Sequence, residues 1–521
     1  MNMHRLALSV ASVFLVSGSA AAGSAQIIDP KNPPQGLFSD EWADVMMMGG
    51  KVGYGHSTMT RQGDRILTAT HMKLKLARAN VSVSIEMNQS TVETVAGDAL
   101  EFETVMIMAD TPVRSRGVFK DGAVTITSTQ FGMDSTKTYP LPEVDGKPVR
   151  PMMIWGLYRE TAERGFAPGT SYTLTTYSPD IRLDGVVEIV TRVGGDETFE
   201  HRGQKLTARR IDADVVTPMG RVTSVSWIDP ATAKMVKTQT NLGGISMDMI
   251  VVPQAEAVKD FVPAEFFMTN TVPVTKRIPY KEARQATYRL SPKDGAAFTL
   301  ELPETAMQKV EGRDGSALTV RLARVDHAAL RKAEAKPLPG DSGEFLESNV
   351  LINTADPKLI ELASQAAGDE KDPLALADRL RRFVSDYIDA KSLDVGFATA
   401  SDVCRSKKGD CSEHAVLLAA LGRIRGLPSR VAVGLAYVPI FGGQQDIFGF
   451  HMWTQFWVNG AWVDFDAALN ESDCSPTRIA FALSSMRETA LAELSFKMMD
   501  VIGRIDLDVV SVETGATPVK P

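Results

Sequence analysis

The run Ala415-Val416-Leu417-Leu418-Ala419-Ala420-Leu421 constrains this chain more than any other stretch. Strong helix formers that are apolar on nearly every side make a helix that belongs at the centre of a domain. It stops near Gly426-Leu427-Pro428. Immediately before it stand Gly409-Asp410-Cys411-Ser412-Glu413-His414. Asp410 and Glu413 fit the cap and third positions of a capping box, which puts Cys411 at the first helical position. There the helix dipole and free N–H groups favour negative charge and lower a thiol's pKa. The same N–H groups are candidate oxyanion donors.

About 40 residues further on comes Phe450-His451-Met452-Trp453, and Trp462-Val463-Asp464-Phe465-Asp466 follows. A thiol, an imidazole and a carboxylate are the parts of an activated nucleophile. Met452–Val458 and Ala461–Asp466 are aromatic and β-branched runs around Asn459-Gly460, a strong signal for a two-residue hairpin. Val458 then faces Ala461, Asp466 faces Trp453 and His451 faces Ala468. His451 and Asp466 become diagonal neighbours on one face, roughly 7–8 Å apart at the backbone. Asp464 shares that face but lies opposite Gln455, so Asp466 is the expected orienting carboxylate and Asp464 the reserve. Trp453, Trp457 and Trp462 also fall on the His451 face. Their simplest role is to pack it against the Cys411 helix, and the other is to wall a substrate tunnel. The opposite face, Met452, Phe456, Val458, Val463 and Phe465, reads as core.

The stretch resembles the core of the transglutaminase-like superfamily, a branch of the papain-like cysteine enzymes. Its pattern is Gly-Asp-Cys with Ser/Thr-Glu-His-Ala, then His-x-Trp-x-Glu, then Trp-x-x-x-Asp-Pro-Thr. The matches here are Gly409 to Ala415, His451 with Trp453, and Trp462 with Asp466. The resemblance implies Cys411 as nucleophile, His451 as base and Asp466 as its orienter. Gln455 stands where the family usually has Glu, and Ala467-Ala468 replaces Pro-Thr.

Around this core the expected architecture is α+β: a large N-terminal antiparallel β domain followed by a papain/transglutaminase-like α+β core. Residues 1–25 have a cation, an apolar run too short to span a bilayer and small residues, the pattern of a cleaved signal peptide. The mature chain is therefore expected in the periplasm or secreted, with no later membrane segment. Residues 26–270 alternate polar and apolar, as in Thr68–Leu76, and read as a meander of long strands. A smaller β segment and linker are expected over 271–340, the core over 341–505 and a C-terminal strand or tail over 506–521. Within the core, Asp356-Pro357 and Asp372-Pro373 start helices, and Arg379, Arg381 and Arg382 read as a solvated face. Phe441–Phe450 reads as a mobile loop feeding His451, and Thr477–Ile502 as helical in pattern.

A net charge of −8 offers no basic surface for nucleic acid. Three cysteines suit one reactive thiol with Cys404 and Cys474 either paired or simply buried. The expected chemistry is acyl transfer through a thioester on a protein or peptide substrate, without cofactor or metal. Amide or peptide hydrolysis leads, protein-glutamine cross-linking is the alternative, and a non-catalytic binding module is a rival of another class. A metal site from Cys411, His414 and His451 is sterically conceivable, but the three residues make sense without one.

Overall fold

The computed structural model describes residues 28–515, apart from 48, 79–80, 108–111, 131–132, 145–146, 180, 218–219, 243–244, 264, 266–269, 294–299, 339–342, 393–396, 488–493, 495–496 and 499–500. The expected signal peptide and the end of the expected tail lie outside the described residues. The chain divides into two compact units, with the main boundary between Ala264 and Glu265. The fold is α+β, mostly antiparallel sheet, with the large β unit first.

The N-terminal unit is a 14-stranded sheet in which sequential strands pair with one another. Its two wings join where Gly36–Met47 pairs with Ile245–Val251, Ala43 opposite Val251. The alternation expected at Thr68–Leu76 is present: Met72, Leu74 and Leu76 are buried while Lys73 and Lys75 are exposed. Helix Ile154–Arg164 is fixed by fully buried Glu93, whose carboxyl accepts the backbone N–H groups of Met153, Trp155 and Gly156 at its start. A carboxyl placed there satisfies donors that the first helical turn cannot satisfy itself.

In the C-terminal unit, the helix Cys411–Ile424 lies at the centre, as its all-apolar run requires. Residues Ser412 through Arg423 are all buried. Helices Pro357–Ala367, Pro373–Tyr387 and Ala400–Ser406 pack around it, the first two started by Asp356 and Asp372 caps followed by proline. A five-stranded sheet covers its other side. The long strand Gln444–Val458 pairs along one edge with Ser429–Phe441, which in turn pairs with Arg478–Ser484. Its other edge pairs with Val272–Pro273 at residues 447–448 and with Ala461–Phe465 at residues 454–458.

Two expectations are corrected here. Phe441–Phe450 is a hairpin rather than a mobile loop: Gly442 and Gly443, at φ 56° and 84°, make the two-residue turn, and Gln444 onward is paired strand. Arg478–Ser484 is a strand rather than part of a helix. Its apolar residues are buried on both faces, which hides the two-residue period of a strand. A separate four-stranded sheet joins Gln308–Asp314, Ala317–Ala323 and Ala283–Pro292 to the C-terminal strand Ile505–Thr514. Glu513 and Thr514, in the stretch expected as strand or tail, belong to that strand.

Candidate active site

The capping box expected before the central helix is complete. Asp410 Oδ1 accepts the Ser412 N–H at 2.9 Å, and Glu413 Oε2 accepts the Asp410 N–H at 2.8 Å. Glu413 Oε1 also takes the Ala398 N–H at 2.9 Å, tying the preceding loop to the helix start. Burial, with the Asp410 charge beside it, pushes the Glu413 carboxyl up to about 8. Gly409 is at φ 152°, and a Cβ there would fall 2.2 Å from the Glu413 Cβ, so the turn into the helix requires glycine. Cys411 is partly exposed at the first helical position, while Cys404 and Cys474 are buried. All three are free, and burial pushes both the Cys404 and Cys474 thiols up.

The Asn459-Gly460 turn sets the expected register, with Val458 opposite Ala461 and Gln455 opposite Asp464. Asn459 and Gly460 are both at positive φ, 48° and 93°. The Ala461–Phe465 strand ends one residue before Asp466, and Asp466 bridges to Glu471 across a short turn instead. His451 occupies the interval of its strand between the two partners on that edge. Its Nε2 meets Asp466 Oδ2 at 2.7 Å, with Asp466 fully buried. The Cys411 sulfur adjoins the same ring, near enough for its charge to act on it. Burial alone would lower the His451 pKa, but the charges of Asp466 and the Cys411 sulfur outweigh it and push the ring up to about 10. With Nε2 engaged by the carboxylate, Nδ1 is the nitrogen left for the thiol.

Asp466 carries more than the histidine. Arg478 donates to its Oδ2 from Nε at 3.0 Å and Nη2 at 2.8 Å, and the Leu469 N–H bonds its Oδ1 at 2.9 Å. Arg478 is itself buried and also reaches Glu471 at 2.9 Å. Although burial works against it, the charges of His451 and Arg478 hold the Asp466 carboxyl well below the usual carboxylate range. Sequence reasoning missed Arg478, because it sits in the stretch read as helix and nothing local marks it as a partner of Asp466. It also misread Arg381, which is buried rather than solvated and bonds Asp378 and Asn470 in the turn after Asp466.

Asp464 does not reach the histidine. Its Oδ1 accepts from Trp453 Nε1 and, at 2.8 Å, from Gln455 Nε2. Burial pushes its carboxyl up. The tryptophans do not pack against the Cys411 helix either. That helix lies on the opposite face, where Thr454 Oγ1 donates to the Ala415 carbonyl at 2.9 Å and Gly422 leaves room for the Phe456 ring. Trp457 donates to the Lys336 carbonyl, and Trp462 packs on Arg430 and Phe345. A cavity of about 200 Å³ does adjoin Cys411 and His451, and its walls are Ala436, Val438, Phe441, Ile447, Phe450 and Leu469 rather than tryptophan. Among the described residues, no three His, Cys, Asp or Glu side chains gather as metal ligands.

Residues 360–467 match the sequence profile of the transglutaminase-like superfamily. This segment is a transglutaminase-like core. No curated protein matches the sequence. Among solved structures, a candidate cysteine protease from Cytophaga hutchinsonii is similar at 16% identity over 46% of this chain and 90% of its own, with a TM-score of 0.29. A β-barrel-like protein of unknown function from Brucella abortus is similar at 13% identity over 42% of this chain and 96% of its own, with a TM-score of 0.30. A candidate protease from Parabacteroides distasonis is similar at 11% identity over 76% and 66%, with a TM-score of 0.18. At TM-scores this low, the reading of the site rests on its own geometry. Within the transglutaminase-like core, Gln455 takes a defined place between Asp464 and Arg430, whose Nε donates to Gln455 Oε1 at 2.7 Å. An amide can accept from Arg430 and donate to Asp464 at once, which a carboxylate cannot.

Proposed function

We propose that the transglutaminase-like core is a cysteine-dependent hydrolase of amide or peptide bonds, with Cys411 as nucleophile, His451 as acid and base, and Asp466 as its orienter. The observation that carries this reading is the 2.7 Å contact of His451 Nε2 with the buried Asp466, on a ring that Cys411 also adjoins. A charged carboxylate at Nε2 keeps the imidazole protonated and aimed at the sulfur. The sulfur attacks the carbonyl carbon, His451 gives its proton to the departing amine or ammonia, and a thioester remains. Water then attacks the thioester and loses a proton to His451 as the acid leaves, which restores the starting pair.

Hydrolysis is preferred to cross-linking because an amine competes with water only where a dry tunnel holds it against the thioester. The tryptophans that were candidates for such a wall pack elsewhere. The test offers a glutamine-containing peptide with and without a primary amine and follows ammonia release against amine incorporation. Incorporation faster than hydrolysis replaces this reading with a transferase. We further propose that the protein works outside the cytoplasm, on the pattern of residues 1–25. Its check is the N-terminal residue of the protein recovered from each cell fraction.

A further inference from the structure

The cavity beside Cys411 is lined by a histidine that the chemistry above does not use. His414 is one helical turn beyond Cys411, is 1% exposed and lines the cavity. Its Nδ1 lies 2.6 Å from the Asp410 carbonyl oxygen, which can only accept, so Nδ1 carries the proton. Burial lowers the pKa of the ring and keeps it neutral. Nε2 therefore holds a lone pair, and it has no hydrogen-bond partner among the described residues. A buried acceptor without a donor is costly, and the helix cap gains nothing from it. Nε2 is closed to water in the empty protein, so the donor it lacks has to come from a group that enters the cavity beside it.

The walls around this acceptor are hydrocarbon. Val438, Phe441, Ile447, Phe450 and Leu469 supply them, and among the charged lining groups Lys391 is exposed, Asp410 is committed to Ser412 and His451 to Asp466. At about 200 Å³, the cavity is smaller than the roughly 300–1,000 Å³ pockets that hold a whole small ligand. It suits one side chain. A glutamine carboxamide would bury two donors and an acceptor there against a single partner, whereas an aliphatic or aromatic side chain leaves nothing unpaired.

We propose that this cavity is the subsite for an apolar side chain on the residue whose carbonyl is attacked, and that His414 Nε2 accepts the backbone N–H of that same residue. The proposal rests on Cys411 being the nucleophile, and it makes the substrate a peptide with an apolar residue on the acyl side of the cleaved bond. His414 is then a positioning residue rather than an acid or base.

The experiment uses the full chain and fluorogenic peptides that differ only at the acyl residue: Leu, Phe, Gln, Glu or Lys. Wild type should favour Leu or Phe over Gln, Glu and Lys by at least about tenfold in kcat/KM. Val438→Asp should move the preference toward Lys, and Val438→Phe, should the first variant not fold, should move it from Phe toward smaller apolar residues. N-methylation of the acyl residue's amide should lower wild-type kcat/KM by roughly five- to tenfold. That penalty should vanish in His414→Phe and largely persist in His414→Gln, which keeps an acceptor; a purely structural histidine would not move it. Iodoacetamide mapping in parallel reports on the nucleophile. Labelling at Cys411 with peptide cleavage but a flat side-chain preference overturns the subsite. Competition by apolar alkylamines for the thioester, with no acyl preference, assigns the cavity to an amine and overturns it too. Absence of a reactive Cys411 overturns the hydrolase reading itself.

Discussion

Replacing Asp466 by Asn separates the charge of the carboxylate from its shape. Asp466 Oδ2 accepts from His451 and twice from Arg478, and Oδ1 accepts from Leu469 N–H. An asparagine can keep an oxygen at only one of these two places. With the oxygen toward His451 and Arg478, its NH₂ faces the Leu469 N–H; turned over, it faces the Arg478 guanidinium. Either way a donor meets a donor, and the buried Arg478 retains Glu471 as its one carboxylate partner. Removing one partner of a buried ion pair costs about 3–5 kcal/mol, and the remaining Glu471 puts the expected loss near the lower figure. For a unit of this size that is a fall in Tm of about 6–12 °C.

The catalytic effect is larger. Without the negative charge the His451 pKa falls from about 10. The orientation of the ring is no longer enforced, and turnover should drop on the order of 10³–10⁴-fold with the fold retained. Asp464→Asn is the control. It keeps an oxygen for Trp453 and Gln455, and its cost should be felt in stability with turnover within about tenfold of wild type. The assays are peptide hydrolysis at 25 °C and thermal unfolding of both variants. Equal losses of turnover, or a larger loss from Asp464→Asn, would refute the reasoning, because both results place the orienting charge on the wrong carboxylate.

Three further outcomes follow from the same geometry. Iodoacetamide at neutral pH should modify Cys411 alone in the folded protein, since Cys404 and Cys474 are 7% and 2% exposed, and peptide mapping should find the latter two only after unfolding. Turnover should fall as pH rises through about 10, where His451 loses its proton. A raised folded pKa means that the histidine's contribution to stability is fully present below its ordinary value near 6.5 and lost as pH rises through about 10, and Asp466, held low, loses its own contribution as pH falls through its depressed value. Both limbs are measurable from pH–rate and pH–Tm profiles. Gly422→Ala should destabilise by about 3 kcal/mol or more, because its Cβ would sit 2.1 Å from the Phe456 ring, and Phe456→Leu in the same chain should restore part of the loss in urea unfolding.

Local chemistry made half of the site readable from the sequence. Asn459-Gly460 admits a two-residue turn with positive φ, and once that turn is fixed, counting outward puts Asp466 beside His451 and Asp464 beside Gln455. Asp410 and Glu413 likewise define the helix start by themselves. The other half depends on packing that no local pattern records. Gly442-Gly443 is as good a turn as Asn459-Gly460, but Gln444 and Gln445 after it do not alternate with apolar partners, so the strand reads as a loop. Ile479-Ala480-Phe481-Ala482-Leu483 is apolar at every position, and a strand covered on both faces has no period to detect. The tryptophan face was assigned correctly by parity, yet parity cannot say which neighbour covers which face. Steric fit decides it: only glycine at 422 admits the Phe456 ring, and this puts the helix on the other side.

The strand that could not be read is the one that completes the candidate site. His451, with only 10% of its side chain exposed, can stay charged only if Asp466 is charged, and Asp466, fully buried, can be charged only with Arg478 against it. Arg478 opens the Arg478–Ser484 strand, which pairs with Ser429–Phe441, which pairs in turn with the strand bearing His451. The histidine's charge is thus conditional on three adjacent strands being in register. A slip of Arg478–Ser484 by one residue would turn the guanidinium to the other face and leave Asp466 with the histidine as its only cationic partner. The ion pair proposed to drive acyl transfer is therefore coupled to formation of the sheet, and a molecule lacking that last strand would keep the thiol, the imidazole and the carboxylate but not the charge distribution that makes them work together.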